Sequence, residues 1–526
     1  MMGAALPLMS QNRNQNLSTV LSGPLHKLII AETAIKQVYV DSVSEDKVVE
    51  DALKGMLSQL DPHSVYTPAK EAKALTEPLE GKFEGIGVQY NMVEDTLVVV
   101  QPVSGGPSEK VGIMAGDRII MVNDSSIAGQ KYTTDEIKRR LRGPKGSKVR
   151  LGVMRNGVKG LNWFTVTRDK IPVFSIDAKY MINATTGYIR IANFGANTFQ
   201  EFKEAVHMLK DKGMIDIVLD LQGNGGGYLQ AAVQIANEFL ERGDLIVFTE
   251  GRAMPRMNYE ADGQGQLRFG RVVVLTDTYT ASASEIVAGA IQDNDRGLVV
   301  GRRTFGKGLV QRPIEFPDGS LIRLTTAHYY SPSGRCIQRP YEKGKKNDYE
   351  KDMQRRLDSG ELTNPDSIHF ADSLRFTTLK HHRTVYGGGG IMPDVYVPLD
   401  TMQYTRLYRE LLAKSCITQS TLRYVDTNRR QLTKQYKNFD QFRSRFEVDQ
   451  SLIDMVLDEG KKQKIEATDS MVEATLPLLR RVTKALVARN LWDMNEYYQL
   501  SNPANHIYTA GVEAILDQHY YDKLSD

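Results

Sequence analysis

From Leu25 to Leu60 apolar residues recur at helical spacing through KLIIAETAIKQVYVD and DKVVEDALKGMLSQL, which predicts two amphipathic helices separated near Asp41–Glu45. The segment LDPHSVYTP ends the second helix, because Pro62 disfavours helical backbone at Asp61 and Pro68 restricts the next segment. The pattern then changes from helical to strand-like. GIGVQYNMVEDTLVVVQPV predicts two strands around a polar turn, GPSEKVGIMAGDRIIMVND a short helix, a turn and a strand, and TTDEIKRRLRG a helix capped by Thr133 or Thr134. SKVRLGVMRNGVKGLNWFTVTRD closes this small unit with a hairpin turning at RNG.

A larger unit begins near Ile171. The strand TTGYIRIANF, the helix TFQEFKEAVHMLKDKG and the apolar strand MIDIVLDL lead to a glycine turn and helix, QGNGGGYLQAAVQIANEFL. RVVVLTD followed by ASASEIVAGAIQD repeats strand then helix, and GLVVG adds another strand. Apolar strands alternating with crossover helices predict a mostly parallel sheet covered by helices. Residues 341–380 are densely charged and read as an exposed insertion, after which YGGGGIMPDVYVPLD returns to the sheet. From residue 401 to 526 the pattern is helical and charged. The expected division is therefore a flexible segment 1–24, a helical region 25–81, a small domain 82–168, an α/β core 169–400 and a helical region 401–526.

Composition narrows the class. Of 526 residues 41% are hydrophobic and 25% charged, and 67 basic against 64 acidic residues leave a net charge of +3. This is soluble multidomain composition, with no global field to select nucleic acid or a membrane surface. No apolar run reaches 18 residues, so no integral membrane span is expected. Cys336 and Cys416 are too few for a disulfide scaffold or a cysteine metal site, and unpaired thiols are the simpler expectation. Met1 to Met9 is apolar but short and lacks a preceding basic segment, as expected where an export signal is truncated or replaced.

Chemistry concentrates in TDTYTASASEIVAGAIQDNDRGLVVGRRTFGKGLVQ. Ser282 follows the end of an apolar strand and precedes a helix, which puts its hydroxyl in the crevice beyond the carboxyl ends of a parallel sheet. The amide of Ala283 is one candidate donor to an oxyanion, and Gly226 or Gly227 of the neighbouring glycine turn is the other. A serine needs a base, and Lys307, flanked by two glycines, is the candidate, with Gln311 placed to orient its amine. Ser282 and Ser284 as plain helix caps, with Lys307 a surface turn residue, account for the same local pattern. GRRTFGKG nearly matches a phosphate loop, but Gly308 stands where magnesium binding needs Ser or Thr, and an apolar strand comes next instead of a helix. The nine histidines form no HExxH pattern or metal-ligand cluster, and no metal site is expected.

Taken in order, LDPHSVYTP, FEGIGVQ, DLQGNGGG, ASASEI, RTFGKGLVQ, YYSPSGRCIQ and GGGGIMPD resemble the carboxyl-terminal processing peptidases, the tail-specific proteases, over most of residues 25–400. The resemblance implies a multidomain α/β fold: a ClpP/crotonase-like catalytic core, an inserted PDZ-like domain at 82–168, and helical N- and C-terminal regions. It implies a serine endopeptidase that cuts proteins near their C-termini, with Ser282 as nucleophile, Lys307 as base, Gln311 orienting it, Ala283 with Gly226 or Gly227 as oxyanion donors, and Asp293 in a supporting role. A peptide carboxylate would bind around Phe83, Gly85, Ile86, Gly87 and Val88. Implied partners are proteins or peptides with apolar C-terminal tails, and an adaptor or second copy on the C-terminal helices. No cofactor is required, and a periplasmic or otherwise exported location is expected. Gln222 stands where many relatives carry arginine. The rival reading is a PDZ-based tail-binding scaffold around a latent or inactive core.

Overall fold

The computed structural model describes residues 23–155, 157–400 and 403–525, and the expected flexible start lies almost wholly outside them. The chain divides into two compact units. One comprises residues 1–73, 311–326 and 341–352, and the other residues 74–310, 327–340 and 353–526.

In the first unit the two expected helices are Pro24–Val38 and Glu45–Ser58, the second capped by the Ser44 hydroxyl. Asp61 organises the turn after them. Its carboxylate accepts from the Ser64 amide and hydroxyl, the His63 amide and the Thr325 hydroxyl. The short strand Val65–Thr67, which periodicity could not reveal, then pairs antiparallel with Leu321–Arg323.

In the second unit the small domain is a sheet in which Val88–Val93, Thr96–Pro102, Arg118–Val122, Lys148–Met154 and Leu161–Thr167 lie side by side in that order. Its core gathers Ile86, Leu97, Val99, Ile119, Ile137 and Leu151. The helix Thr134–Leu141 opens with Thr133 and Glu136 capping each other.

The larger core of this unit is a six-stranded sheet in the order Ile176–Met181, Thr186–Ile191, Asp216–Asp220, Val272–Thr276, Leu298–Gly301 and Val395–Tyr396. All neighbours are parallel except the first pair. Alternation along the strands divides the apolar side chains between two faces. Ile217, Leu219, Val272, Val274 and Val299 meet the helices Thr198–Lys210, Leu229–Asn237 and Ala283–Asp293 on one face. Val218, Val273, Leu275, Leu298 and Val300 face the opposite way, where Ile507, Tyr508, Ile515 and Tyr520 cover them. One helix of this cover, His506–Leu516, sits so close that a Cβ on Gly511 would meet Leu275 Cδ2 at 2.3 Å. The end of the C-terminal helical region is therefore part of the sheet's own core.

The charged insertion is less exposed than its composition suggested. Arg356 and Glu361 are buried, Arg303 forms a two-pronged ion pair with Glu361, and Arg356 donates to the carbonyls of Thr304 and Phe305. Charge density marked a surface, but these charges are paired inside and brace the loop that carries Lys307. Both cysteines are free thiols.

Candidate active site

The strand Val272–Thr276 is buried along its whole length and ends at a tight turn. The Asp277 carboxylate accepts from the amides of Tyr279 and Thr280, and also from Gly223 in the glycine turn at 3.0 Å. The Thr280 hydroxyl donates to Leu221 O at 2.9 Å. Asn224 completes the link between the two turns. Its carbonyl accepts from Ala281 N at 2.9 Å and from the Ser284 hydroxyl at 3.0 Å, and its side chain bonds Ile191 O and Gly226 N. Ser284 thus ties two turns together.

Ser282 itself sits at φ 58°, ψ −117°, a backbone conformation that costs a non-glycine residue about 1–3 kcal/mol and needs surrounding structure to hold it. Gly226 packs directly against it. A Cβ there would meet Ser282 Cβ at 2.7 Å and Ala283 N at 2.9 Å, so only glycine lets the turn approach.

The residue that holds the turn is Glu285. It is fully buried, forms no ion pair among the described residues, and its carboxylate accepts from four groups. These are Ser282 N at 2.7 Å, Gly306 N at 2.7 Å, Lys307 N at 2.9 Å and the Thr304 hydroxyl. Burial pushes the Glu285 carboxyl above its usual pKa, while those four donated bonds pull against the rise. The Tyr329 hydroxyl adds a second bridge, 2.9 Å from Ser282 O and 2.6 Å from Lys307 O. One carboxylate and one phenol therefore fix the main chain of Ser282 to that of Lys307, residues 25 positions apart in sequence.

The Lys307 loop is locked from its other side as well. Phe305 N donates to Thr280 O, Ile391 N to the Thr304 hydroxyl, and Gly308 N to the Gln338 side chain. A Cβ on Gly306 would meet Gly390 N at 2.9 Å, which explains the pairing of GKG with the GGGG run. The loop leads into the strand Leu309–Glu315, where a phosphate loop would have opened a helix.

The remaining expected positions are placed by their neighbours. Ala283 is buried at the start of the helix, and Gly227 is in bridge contact with Phe194, where a Cβ would lie 2.2 Å from Phe194 O. Gln311 donates its side-chain amide to His63 O at 2.5 Å. The structure brings Asp293 to Arg335 and not to Ser282: the carboxylate pairs with the guanidinium at 2.6 Å, both fully buried, and accepts from the Ser333 amide and hydroxyl. Gln222 turns towards the C-terminal helices, its side-chain oxygen accepting from Asn505 at 3.0 Å. In the small domain, Phe83 lies under the Arg142 guanidinium and pairs across strands with Ile171, close to Gly85. Ile86 is a core side chain whose carbonyl is held by the Ser108 amide and hydroxyl. Gly87 turns at φ +72°, and Val88 begins a strand at the sheet's edge.

Sequence reasoning missed Glu285, Asn224, Thr304 and Tyr329. Glu285 carried a local signal, since a helix-capping serine with Glu three positions later is a recognised cap pattern. The other three act through long-range contacts.

Residues 185–350 match peptidase family S41, residues 85–161 a PDZ domain, residues 4–71 the N-terminal domain of the activating protease CtpB, and residues 407–493 a family of unknown function. The chain is 37% identical to the carboxy-terminal-processing protease of Bartonella bacilliformis over 58% of its own length and 70% of that protein's. It is 35% identical to the carboxy-terminal processing protease CtpA of Bacillus subtilis, over 62% and 70% of the two chains. Among solved structures, a photosystem II D1 C-terminal processing protease is 30% identical and aligns over 61% of this chain and 85% of its own, with a TM-score of 0.35. The chain belongs to the carboxy-terminal processing proteases, serine proteases that carry a PDZ domain.

Proposed function

We propose that Ser282 and Lys307 form the catalytic dyad and that the enzyme cuts unfolded or loosely folded proteins near apolar C-terminal tails. Neutral Lys307 takes the Ser282 hydroxyl proton as the oxygen attacks a peptide carbonyl. The tetrahedral oxyanion rests on the amides of Ala283 and Gly227. Gly227 is favoured over Gly226 because the Gly226 amide already donates to Asn224. The lysinium protonates the departing amine as the C–N bond breaks, and neutral lysine then removes a proton from the water that releases the acyl group from Ser282. Gln311 orients the amine, and Asp293 supports the fold around the site.

The observation that carries this reading is the double bridge, in which Glu285 and Tyr329 each bond the main chain of both Ser282 and Lys307. A helix-capping serine and a surface lysine have no need of it. The tail adds beside the edge strand Val88–Val93, its carboxylate at the Ile86–Gly87 turn between the strands Lys82–Gly85 and Val88–Val93. No described helix is long and apolar enough to cross a membrane. A periplasmic or otherwise exported site of action, and adaptor or self-association through the C-terminal helices, belong to the same reading and rest on the family resemblance.

The test is cleavage of an unfolded reporter with an apolar tail by the intact protein, by Ser282→Ala and by Lys307→Ala. Loss of cutting by about 10⁴-fold or more in both, with tail binding retained, is the expected result. Equal proteolysis by all three sinks the dyad.

A further inference from the structure

The helix Cys416–Gln435 lies within the stretch whose family has no known function. Leu422, Val425, Asp426 and Arg429 recur on it at i, i+3, i+4 and i+7, so they share one face. That face meets the PDZ domain's sheet. Asn91 pairs with Val98 and Val98 with Arg118 across three neighbouring strands, which sets these side chains in one row. Leu97, Val99 and Ile119, which alternate with that row, point into the domain's own core. An isolated PDZ domain would leave the row in water.

Here it is covered. Val93 and Val98 are 3% and 6% exposed and cluster with Leu422 at 7%. The Arg118 guanidinium forms an ion pair with Asp426, and Arg429 lies against the turn at Gly116, where a Cβ would meet its Cδ at 3.6 Å. The contact thus combines apolar cover, a half-buried ion pair and a close backbone approach.

The same helical region also reaches the glycine turn of the catalytic core. The ring of Tyr498 lies 4.7 Å from the Arg190 guanidinium, which donates to Gln222 O at 2.7 Å, and Asn505 bonds the Gln222 side chain. We propose that the C-terminal helical region is an internal clamp. It grips the PDZ domain by the sheet face opposite its core, and it braces the turn that presents Gly226 and Gly227. The backbone edge of Val88–Val93 has no strand beside it among the described residues, so the clamp holds the domain without occupying the edge where a tail would pair. Only its purpose, to fix where a captured tail is presented, rests on the tail-capture reading above.

The experiment uses the full chain with Arg118→Asp, with Asp426→Arg, and with both reversals together, and reads hydrogen–deuterium exchange over residues 88–102. Each single reversal is expected to speed exchange there by roughly fivefold to tenfold, and the swapped pair to return it towards the wild-type rate. Unchanged exchange in both single variants overturns the clamp. So does a swapped pair no slower than the singles, because simple misfolding in either domain would not be repaired by a second reversal in the other. Reporter cleavage is measured alongside. A chain that shows the expected exchange pattern but cuts nothing keeps the clamp and overturns the catalytic reading.

Discussion

The helix Ala283–Asp293 carries a fully buried carboxylate at each end, and the two are satisfied in opposite ways. Glu285, in its first turn, accepts four hydrogen bonds from neutral donors, three of them backbone amides. Asp293, its last residue, meets the fully buried guanidinium of Arg335 and the Ser333 turn. Backbone donors fix where a main chain runs, so Glu285 sets the position of Ser282 relative to Lys307. A buried cation fixes a scaffold, so Asp293 holds the 331–335 turn against the helix. Similar burial therefore ties the Ser282 turn to the Lys307 loop at one end and holds a scaffold turn at the other.

The largest effect that would sharpen this contrast is on turnover. Glu285→Gln replaces an acceptor-only carboxylate with an amide whose NH₂ faces donors, and kcat should fall by about 10²-fold or more. A variant that keeps kcat within a few-fold would remove Glu285 from the positioning of the site. Asp293→Asn leaves the buried Arg335 without its counter-charge, and stability should drop by about 3–5 kcal/mol in denaturant unfolding. If Glu285→Gln lost as much stability and no more activity, the two ends of the helix would be alike and the comparison would fail.

The smallest effect concerns pH. Burial holds the folded pKa of Glu285 above its unfolded value, so the folded state binds the proton more tightly. Its contribution to stability is complete below the unfolded pKa, about 4.3 for a free glutamate, and is lost as pH rises through the folded value. The stability gap between wild type and Glu285→Gln should therefore narrow on going up from pH 4, as read by paired urea titrations. A gap that stays flat or widens contradicts the shift.

What could be read in the chain alone came from local periodicity. The helices Pro24–Val38 and Glu45–Ser58, the strands of the small domain and the strand–helix alternation of the core all showed in the spacing of apolar residues. The antiparallel edge strand Ile176–Met181 and the strand Val65–Thr67 did not, because a short strand gains its stability from the neighbour it pairs with. The buried ion pair of Arg303 with Glu361 and the bonds of Arg356 to the Thr304 and Phe305 carbonyls were equally hidden, since charge in a sequence does not say which partner it will find.

For the site, the sequence by itself determined the candidate atoms: a serine at the junction of strand and helix, a lysine between glycines, and glycine turns that only glycine can make. Those signals are local, set by backbone sterics and residue chemistry within a few positions. The tertiary structure alone decided what joins them. Glu285 and Tyr329 bridge Ser282 to Lys307, Asn224 binds the two turns together, and the C-terminal helices cover both a face of the catalytic sheet and a face of the PDZ domain. Each of these depends on groups distant in sequence meeting in a water-excluded interior. There an unpaired polar atom is costly and a paired one holds its partners in place, a condition set by the assembled fold and by no short stretch of residues.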